Sequence, residues 1–266
     1  MFSKFIQPGQ IVLDVGANIG AFTIPFANQV GPTGIVHAFE PQRQLSQMIS
    51  TNVALNQLPN VHVHNVAVGN QFGGSIQVPK LDYSKSANFG AISIHPNEMD
   101  WTKQGDTESV PVMTLDSKFY VPGSICPSFL KIDAEGMELM VLQGSQQLIA
   151  ECLPVLHLEN NCVKDSPDIL RFIDKFGAYH CHWDVHPYFS SQNYAGETTS
   201  VFSEYAYSIN VLCYPKDKEV SHIEELQDIT RIDFENQKLL LSEYGLSFAG
   251  STNVVGQLGN EMECIR

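Results

Sequence analysis

The sequence predicts an α/β fold with a mostly parallel, doubly wound sheet and helices on both faces. Three observations carry that reading. Short apolar runs alternate with segments of helical period from the start of the chain. The first 66 residues run strand, helix, strand, helix, strand. The same rhythm returns after residue 128.

Ile11–Val15 reads as a buried strand and residues 19–30 as a helix. Residues 34–39 predict a second strand, residues 43–58 a second helix stopped near Pro59, and residues 61–66 a third strand. Residues 69–109 break the rhythm. They are polar and rich in Gly, Ser and Asn, with strand patterns at Ser75–Pro79 and at 91–95, and they read as an excursion that shapes an acceptor site. Beyond it, residues 128–132 predict a strand, 137–149 a mostly helical stretch and 153–158 another strand. Residues 168–176 predict a helix ended by Gly177. Residues 178–184 and 207–214 alternate as late strands, an antiparallel pair at one edge. On this reading residues 1–215 form one domain, and residues 216–266 form a tail with helical character at 223–241.

Hydrophobic residues make up 43% of the 266 and charged residues 17%, a globular balance with enough chain for a core that needs no staples. The formal charge of −14 opposes phosphate backbones and anionic lipid. No nucleic-acid partner and no membrane partner are expected, and a small or neutral acceptor fits better. Six cysteines stand far apart with no CxxC pair, which reads as reduced thiols in a cytoplasmic protein. Residues 1–7 lack the apolar stretch of a signal peptide, and no apolar run approaches the length of a membrane span.

The run Asp14-Val15-Gly16-Ala17-Asn18-Ile19-Gly20 joins the first strand to the first helix. Glycines in such a turn let a ligand approach the backbone, and the helix start that follows suits an anion. A purely steric turn looks the same. Glu40 sharpens the reading, because an acidic side chain at the tip of the second strand can accept both ribose hydroxyls of an adenosine. A dinucleotide asks for G-x-G-x-x-G. Here the spacing is G-x-x-x-G, Asn18 replaces the middle glycine, and the carboxylate of Asp14 opposes a pyrophosphate. S-adenosylmethionine suits the loop better: its ammonium matches Asp14, through a water or a backbone carbonyl, and its carboxylate matches loop N–H groups. An NAD-dependent oxidoreductase and a cofactor-binding domain without turnover are the alternatives.

Several blocks follow in order: VLDVGANIGAFT (12–23), VHAFEP (36–41), NVAVGN (65–70), NFGAISI (88–94), LKIDAEGMELMVLQG (130–144), LHLEN (156–160) and NVLCYP (210–215). With them the chain resembles the FkbM family of methyltransferases from about residue 11 to about residue 215. The first two blocks are shared with many class I methyltransferases, whereas KIDAEG with Glu138 is more specific to this family. The resemblance implies a seven-stranded class I, Rossmann-like fold, S-adenosylmethionine as cofactor, and O-methylation of a hydroxyl on a small molecule or glycan. Carried over by position, Asp14, Gly16, Ala17, Asn18 and Gly20 hold the methionine end. Glu40, followed by Pro41, holds the ribose; Asn65, Val66 and Ala67 lie at the adenine; Asp133 lies beside the methyl group. Two departures stand out. Arg43 occupies the place of a usual second proline, and the chain starts close to the first strand, where family members commonly carry a covering segment.

Methyl transfer from a sulfonium is an in-line displacement, and an alcohol acceptor needs a base or a metal. Asp133, Glu135 and Glu159 are the candidate catalytic residues, each at or just past a predicted strand end. Asp133 with Glu159 would also suit Mg²⁺, which takes oxygen ligands. The bland readings are a cofactor contact for Asp133, a helix cap for Glu135, a solvated helix residue for Glu138 and a satisfied buried imidazole for His157. The cluster His180, Cys181, His182, His186 reads as a strand with histidines on its open face rather than a zinc site, since Cys181 points the other way. Tyr188, Asn193 and Tyr194 follow in a loop read as reaching the acceptor.

Overall fold

The computed structural model describes residues 2–80, 106–121, 123, 125–161, 165–187, 189–190, 196, 198–199, 207–218 and 229–231. The chain divides into two compact units, Met1–Leu158 and Glu159–Arg266. No helix among the described residues is long and apolar enough to cross a membrane.

The first unit holds the parallel sheet. Its strands are β1 (Ile11–Val15), β2 (Ile35–Phe39), β3 (Val61–His64), β7 (Phe129–Ile132) and β8 (Val155–Glu159, up to Leu158 in this unit). They pair in the order β3-β2-β1-β7-β8, every pair parallel. Parallel strands need crossovers, which α1 (Thr23–Val30) and α2 (Arg43–Leu55) supply on the β1–β2–β3 side. Both helices are amphipathic: α1 buries Phe26, Ala27 and Val30, and α2 buries Leu45 and Ile49. The order reverses at β1, which pairs with β2 on one side and β7 on the other. That switch point opens a crevice at the strands' carboxyl ends, where ligands bind in sheets of this kind. This is the class I, Rossmann-like α/β fold that the sequence predicts.

The excursion adds a second sheet, with β4 (Ala67–Val68), β6 (Thr107–Met113) and β5 (Ser75–Pro79) in that order, followed by α3 (Leu115–Phe119). The strand expected at Ser75–Pro79 is β5; the one expected at 91–95 lies outside the described residues. Arg43, in the place of the usual proline, opens α2 and bonds Glu108 of β6 through its Nε at 3.0 Å, tying helix to excursion.

The helix expected over 137–149 is two helices, α4 (Glu138–Gln143) and α5 (Gln146–Cys152). The break falls at Gly144, whose backbone abuts Gly69: a Cβ there would lie 2.0 Å from the Gly69 carbonyl oxygen. Close packing of two backbones, not helix propensity, sets that boundary.

The second unit carries α6 (Ser166–Asp174), β9 (Tyr179–Pro187), β10 (Tyr207–Pro215) and β11 (Ile229–Arg231). β10 and β11 flank β9, both antiparallel to it, so the late antiparallel pair is observed and gains a third strand. Residues 229–231 therefore correct the helical expectation for 223–241; Ile229 and Thr230 are β-branched and find an edge of β9 to pair with. The rest of the tail lies outside the described residues.

The cysteines are a correction. Cys126 is bonded to Cys152 and Cys181 to Cys213, and no described cysteine is free. The fold brings each pair within disulfide reach, with Cα separations of 5.3 and 4.1 Å. Register does this for Cys181 and Cys213, which sit directly opposite on β9 and β10. Reduced thiols are not what the structure holds, so the cysteines no longer argue for a cytoplasmic location.

Candidate active site

The crevice is built where β1, β2 and β7 end. The turn after β1 is tight: Gly16 has φ +75°, Asn18 φ 51° and Gly20 φ +91°. Asparagine and glycine tolerate this left-handed backbone best. Gly16 is required for a second reason, since a Cβ on it would lie 1.6 Å from the Asp133 carbonyl oxygen. The turn after β1 and the end of β7 thus touch backbone to backbone.

Most of the turn's N–H groups are already used. Those of Gly16 and Ala17 both donate to the Phe39 carbonyl at 3.0 Å, and that of Gly20 donates to Ala17 at 2.8 Å. Asn18 N–H donates to Glu40 Oε2 at 2.9 Å. The N–H groups of Gly16, Ala17 and Asn18 thus brace the turn against the end of β2, and that of Gly20 closes the turn on itself. That arrangement leaves no cradle for a pyrophosphate in them.

Glu40 is buried at the end of β2. Its Oε2 takes Asn18 N–H and its Oε1 takes Gln42 N–H at 2.8 Å. Burial, partly offset by those two bonds, pushes its pKa up to about 7. A carboxylate offers about four lone-pair positions, so two hydroxyl donors can still be accepted. Asn65 donates through Nδ2 to the carbonyls of Glu40 and Pro41, both at 2.9 Å, and so clamps the exit of β2. Val66 is half-buried and Ala67 buried beside it.

Asp14 has partners within the protein. It is fully buried, accepts from Thr23 Oγ1 at 2.6 Å, and faces Lys131 Nζ at 3.6 Å. Burial raises its pKa against the lowering pull of Lys131 and Thr23. Lys131 also lies 3.2 Å from Asp133 Oδ2 and 4.9 Å from the centre of the Phe22 ring. A buried ammonium therefore joins Asp14 to Asp133. No sequence motif assigns Lys131 this role. The signal was a lysine inside a strand whose other residues are apolar, because a buried charge demands partners.

Asp133 is half-buried, and Glu135 and Gly136 follow with φ 49° and 96°. Glu138, expected on a solvated face, is buried instead. Its Oε1 accepts from Ala134 N–H at 2.9 Å and Gly136 N–H at 3.2 Å, so it holds the turn that carries Asp133 and Glu135. Burial pushes its pKa up to about 7. His157 is buried and meets the Phe2 ring edge-on, with ring centres 4.9 Å apart. Glu159 belongs to the second unit, where its Oε1 accepts from Asn161 Nδ2 at 2.8 Å. Tyr188, Asn193 and Tyr194 lie outside the described residues.

The profile of the methyltransferase FkbM domain matches residues 14–181. No curated protein matches the chain. Among solved structures, an FkbM methyltransferase from Methylobacillus flagellatus KT is similar over 77% of this chain, at 17% identity and a TM-score of 0.48. The chain spans 43% of that protein's length. A precorrin-6y C5,15-methyltransferase from Geobacter metallireducens GS-15 is similar at 15% identity over 80% of this chain and 84% of its own, TM-score 0.47. A SAM-dependent methyltransferase from Aquifex aeolicus is similar at 13% identity over 79% and 84%, TM-score 0.39.

Proposed function

Since this chain belongs to the FkbM methyltransferase family, we propose that it is an S-adenosylmethionine-dependent O-methyltransferase acting on a hydroxyl of a small molecule or glycan. One observation carries the cofactor reading: Glu40, a buried carboxylate with acceptor capacity to spare, is bonded to Asn18 of the glycine turn. Ribose hydroxyls donating to Glu40 would relieve the desolvation that raises its pKa, while the braced turn gives the methionine end close access to backbone.

The bound cofactor supplies an electrophilic methyl group on a sulfonium. The chain's own residues position the rest. Lys131 orients Asp133 at the crevice and Glu138 fixes the turn behind it, so that an acceptor can be held in line with the methyl group.

Calorimetric titration with S-adenosylmethionine and with NAD, followed by methyl-transfer assays on sugars and polyketide-like alcohols, tests the reading. Binding of NAD alone would overturn it. Asp133→Asn should keep cofactor affinity within about tenfold and lower the rate by about a hundredfold; equal loss of both would make Asp133 a binding residue only. Asp133 and Glu135 offer carboxylate oxygens of the kind that Mg²⁺ takes. Loss of turnover on chelation, restored by Mg²⁺, would add the metal to the reading. For the compartment, two disulfides weigh toward an oxidising one rather than the expected cytoplasm, and thiol counting on freshly isolated protein decides between them.

A further inference from the structure

We propose that His37 and His64 form a chelating pair for a late first-row divalent metal ion, the class of Zn²⁺, Ni²⁺ and Cu²⁺, at the β2–β3 edge of the first unit. The site is separate from the crevice, and the proposal does not depend on the methyltransferase reading.

Strand register builds the pair. His37 on β2 stands opposite His62 on β3, and Phe39 stands opposite His64. Residues two apart on a strand share a face, so these four side chains lie together on one side of the sheet. The His37 ring centre is 5.1 Å from that of His62 and 5.3 Å from that of His64, with planes inclined by only 21° and 19°. His37 Nδ1 and His64 Nε2 converge to 3.0 Å.

The donors select the ion. Imidazole nitrogen suits Zn²⁺, Ni²⁺ and Cu²⁺, whereas Mg²⁺ and Ca²⁺ take oxygen. Around a tetrahedral ion with bonds of about 2.0–2.1 Å, neighbouring nitrogens stand about 3.3 Å apart. The pair has to open by only about 0.3 Å, with a turn of the rings that aims both lone pairs at the ion. Without metal, one of the two nitrogens donates its N–H to the other. On binding, the donating ring carries its proton on its other nitrogen, two nitrogen–metal bonds replace the hydrogen bond, and waters leave the ion. No net proton is lost. A metal takes the neutral imidazole. Burial first, and the neighbouring histidines and Lys118 next, push His37 down to about 3 and His64 to about 4, so both rings are neutral at pH 7.

The surroundings hold the rings and leave a way in. Phe39 lies nearly parallel to His64, with centres 4.8 Å apart, and Phe119 of α3 meets His37 edge-on at 4.9 Å between centres. His37 and His64 are half-buried and His62 is exposed, so an ion reaches the pair from solvent. Lys118 is the opposing charge. The His64 carbonyl accepts from Glu40 N–H at 3.0 Å. An ion on this pair therefore ties β3 to β2 beside Glu40.

The test uses the full chain, stripped of metal with a chelator and kept free of thiol reductant so that the disulfides stay closed. Calorimetric titration at pH 7 with Zn²⁺ or Ni²⁺ should fill a site for which Mg²⁺ does not compete. His37→Gln and His64→Gln should each weaken Zn²⁺ binding by about tenfold or more. Lys118→Met removes a neighbouring positive charge and no ligand, and it should tighten binding severalfold. Two readouts need no variant: the ring ¹⁵N signals of His37 and His64 should shift together as Zn²⁺ is added, and saturating Zn²⁺ should raise the melting temperature by several degrees. Unchanged Zn²⁺ affinity in both glutamine variants, or His37 and His64 signals that stay in place while Zn²⁺ saturates the wild type, would overturn the pair. A protein that binds Zn²⁺ here and transfers no methyl group would overturn the proposed function and leave this site standing.

Discussion

Lys131 Nζ faces Asp14 Oδ1 at 3.6 Å because β1 and β7 pair in a register that sets the two residues side by side. Both side chains are almost sealed from water, at 3% and 0% exposure. Removing the ammonium strands a buried carboxylate, so Lys131→Met should destabilise the fold by about 3–5 kcal/mol in urea unfolding. Lys131→Met combined with Asp14→Asn should recover part of that loss. Simple additivity of the two variants would show that the pair is not coupled.

Cofactor binding should depend on pH through Glu40. The group accepts ribose hydroxyls best when ionised, and in the free protein burial holds its pKa at about 7. Affinity for S-adenosylmethionine should therefore strengthen as pH rises from 6 to 8 and weaken below 7. Calorimetry across that range checks it. Glu40→Gln should flatten the profile and cost roughly 1–3 kcal/mol of binding.

Stability should run the other way. Glu138 has its folded pKa raised from 4.5 to about 7 by burial. The stability linked to its protonated form is fully present below about 4.5 and is lost as pH rises through about 7, on the order of 3 kcal/mol. Glu138→Gln keeps an acceptor for Ala134 and Gly136, so it should remove most of this pH dependence without unfolding the protein. Denaturation midpoints at pH 5 and pH 8 measure the difference.

Gly16→Ala should be among the most damaging single changes. The new Cβ meets the Asp133 carbonyl at 1.6 Å and the backbone sits at φ +75°, so either the turn or the end of β7 must move. A loss of at least about 2 kcal/mol is expected, together with loss of cofactor binding. Gly73→Ala, at φ +89° but with open space around it, is the control, and it should cost less.

Reduction should lower the melting temperature. The two disulfides close loops of 26 and 32 residues in sequence separation, and cross-links of that span contribute about 3–4 kcal/mol each in the chain-entropy account. Scans with and without a strong reductant check this. Identical transitions would mean that the bridges add nothing.

The sequence by itself determined the parallel sheet, the glycine turn, Glu40 at the next strand end and the family, because these are local: a periodicity, a spacing, a block of residues. β1, β2 and β5 were legible to within a residue for the same reason. Only the tertiary structure decided what those residues touch. It turned Asp14 inward to Thr23 and Lys131, closed the turn's N–H groups onto Phe39 and Glu40, and buried Glu138 under its own loop. It also split one expected helix at Gly144 and paired cysteines 26 and 32 residues apart. Each of these depends on strand register or on the approach of two backbones, and neither distance is written in the order of residues along a single segment.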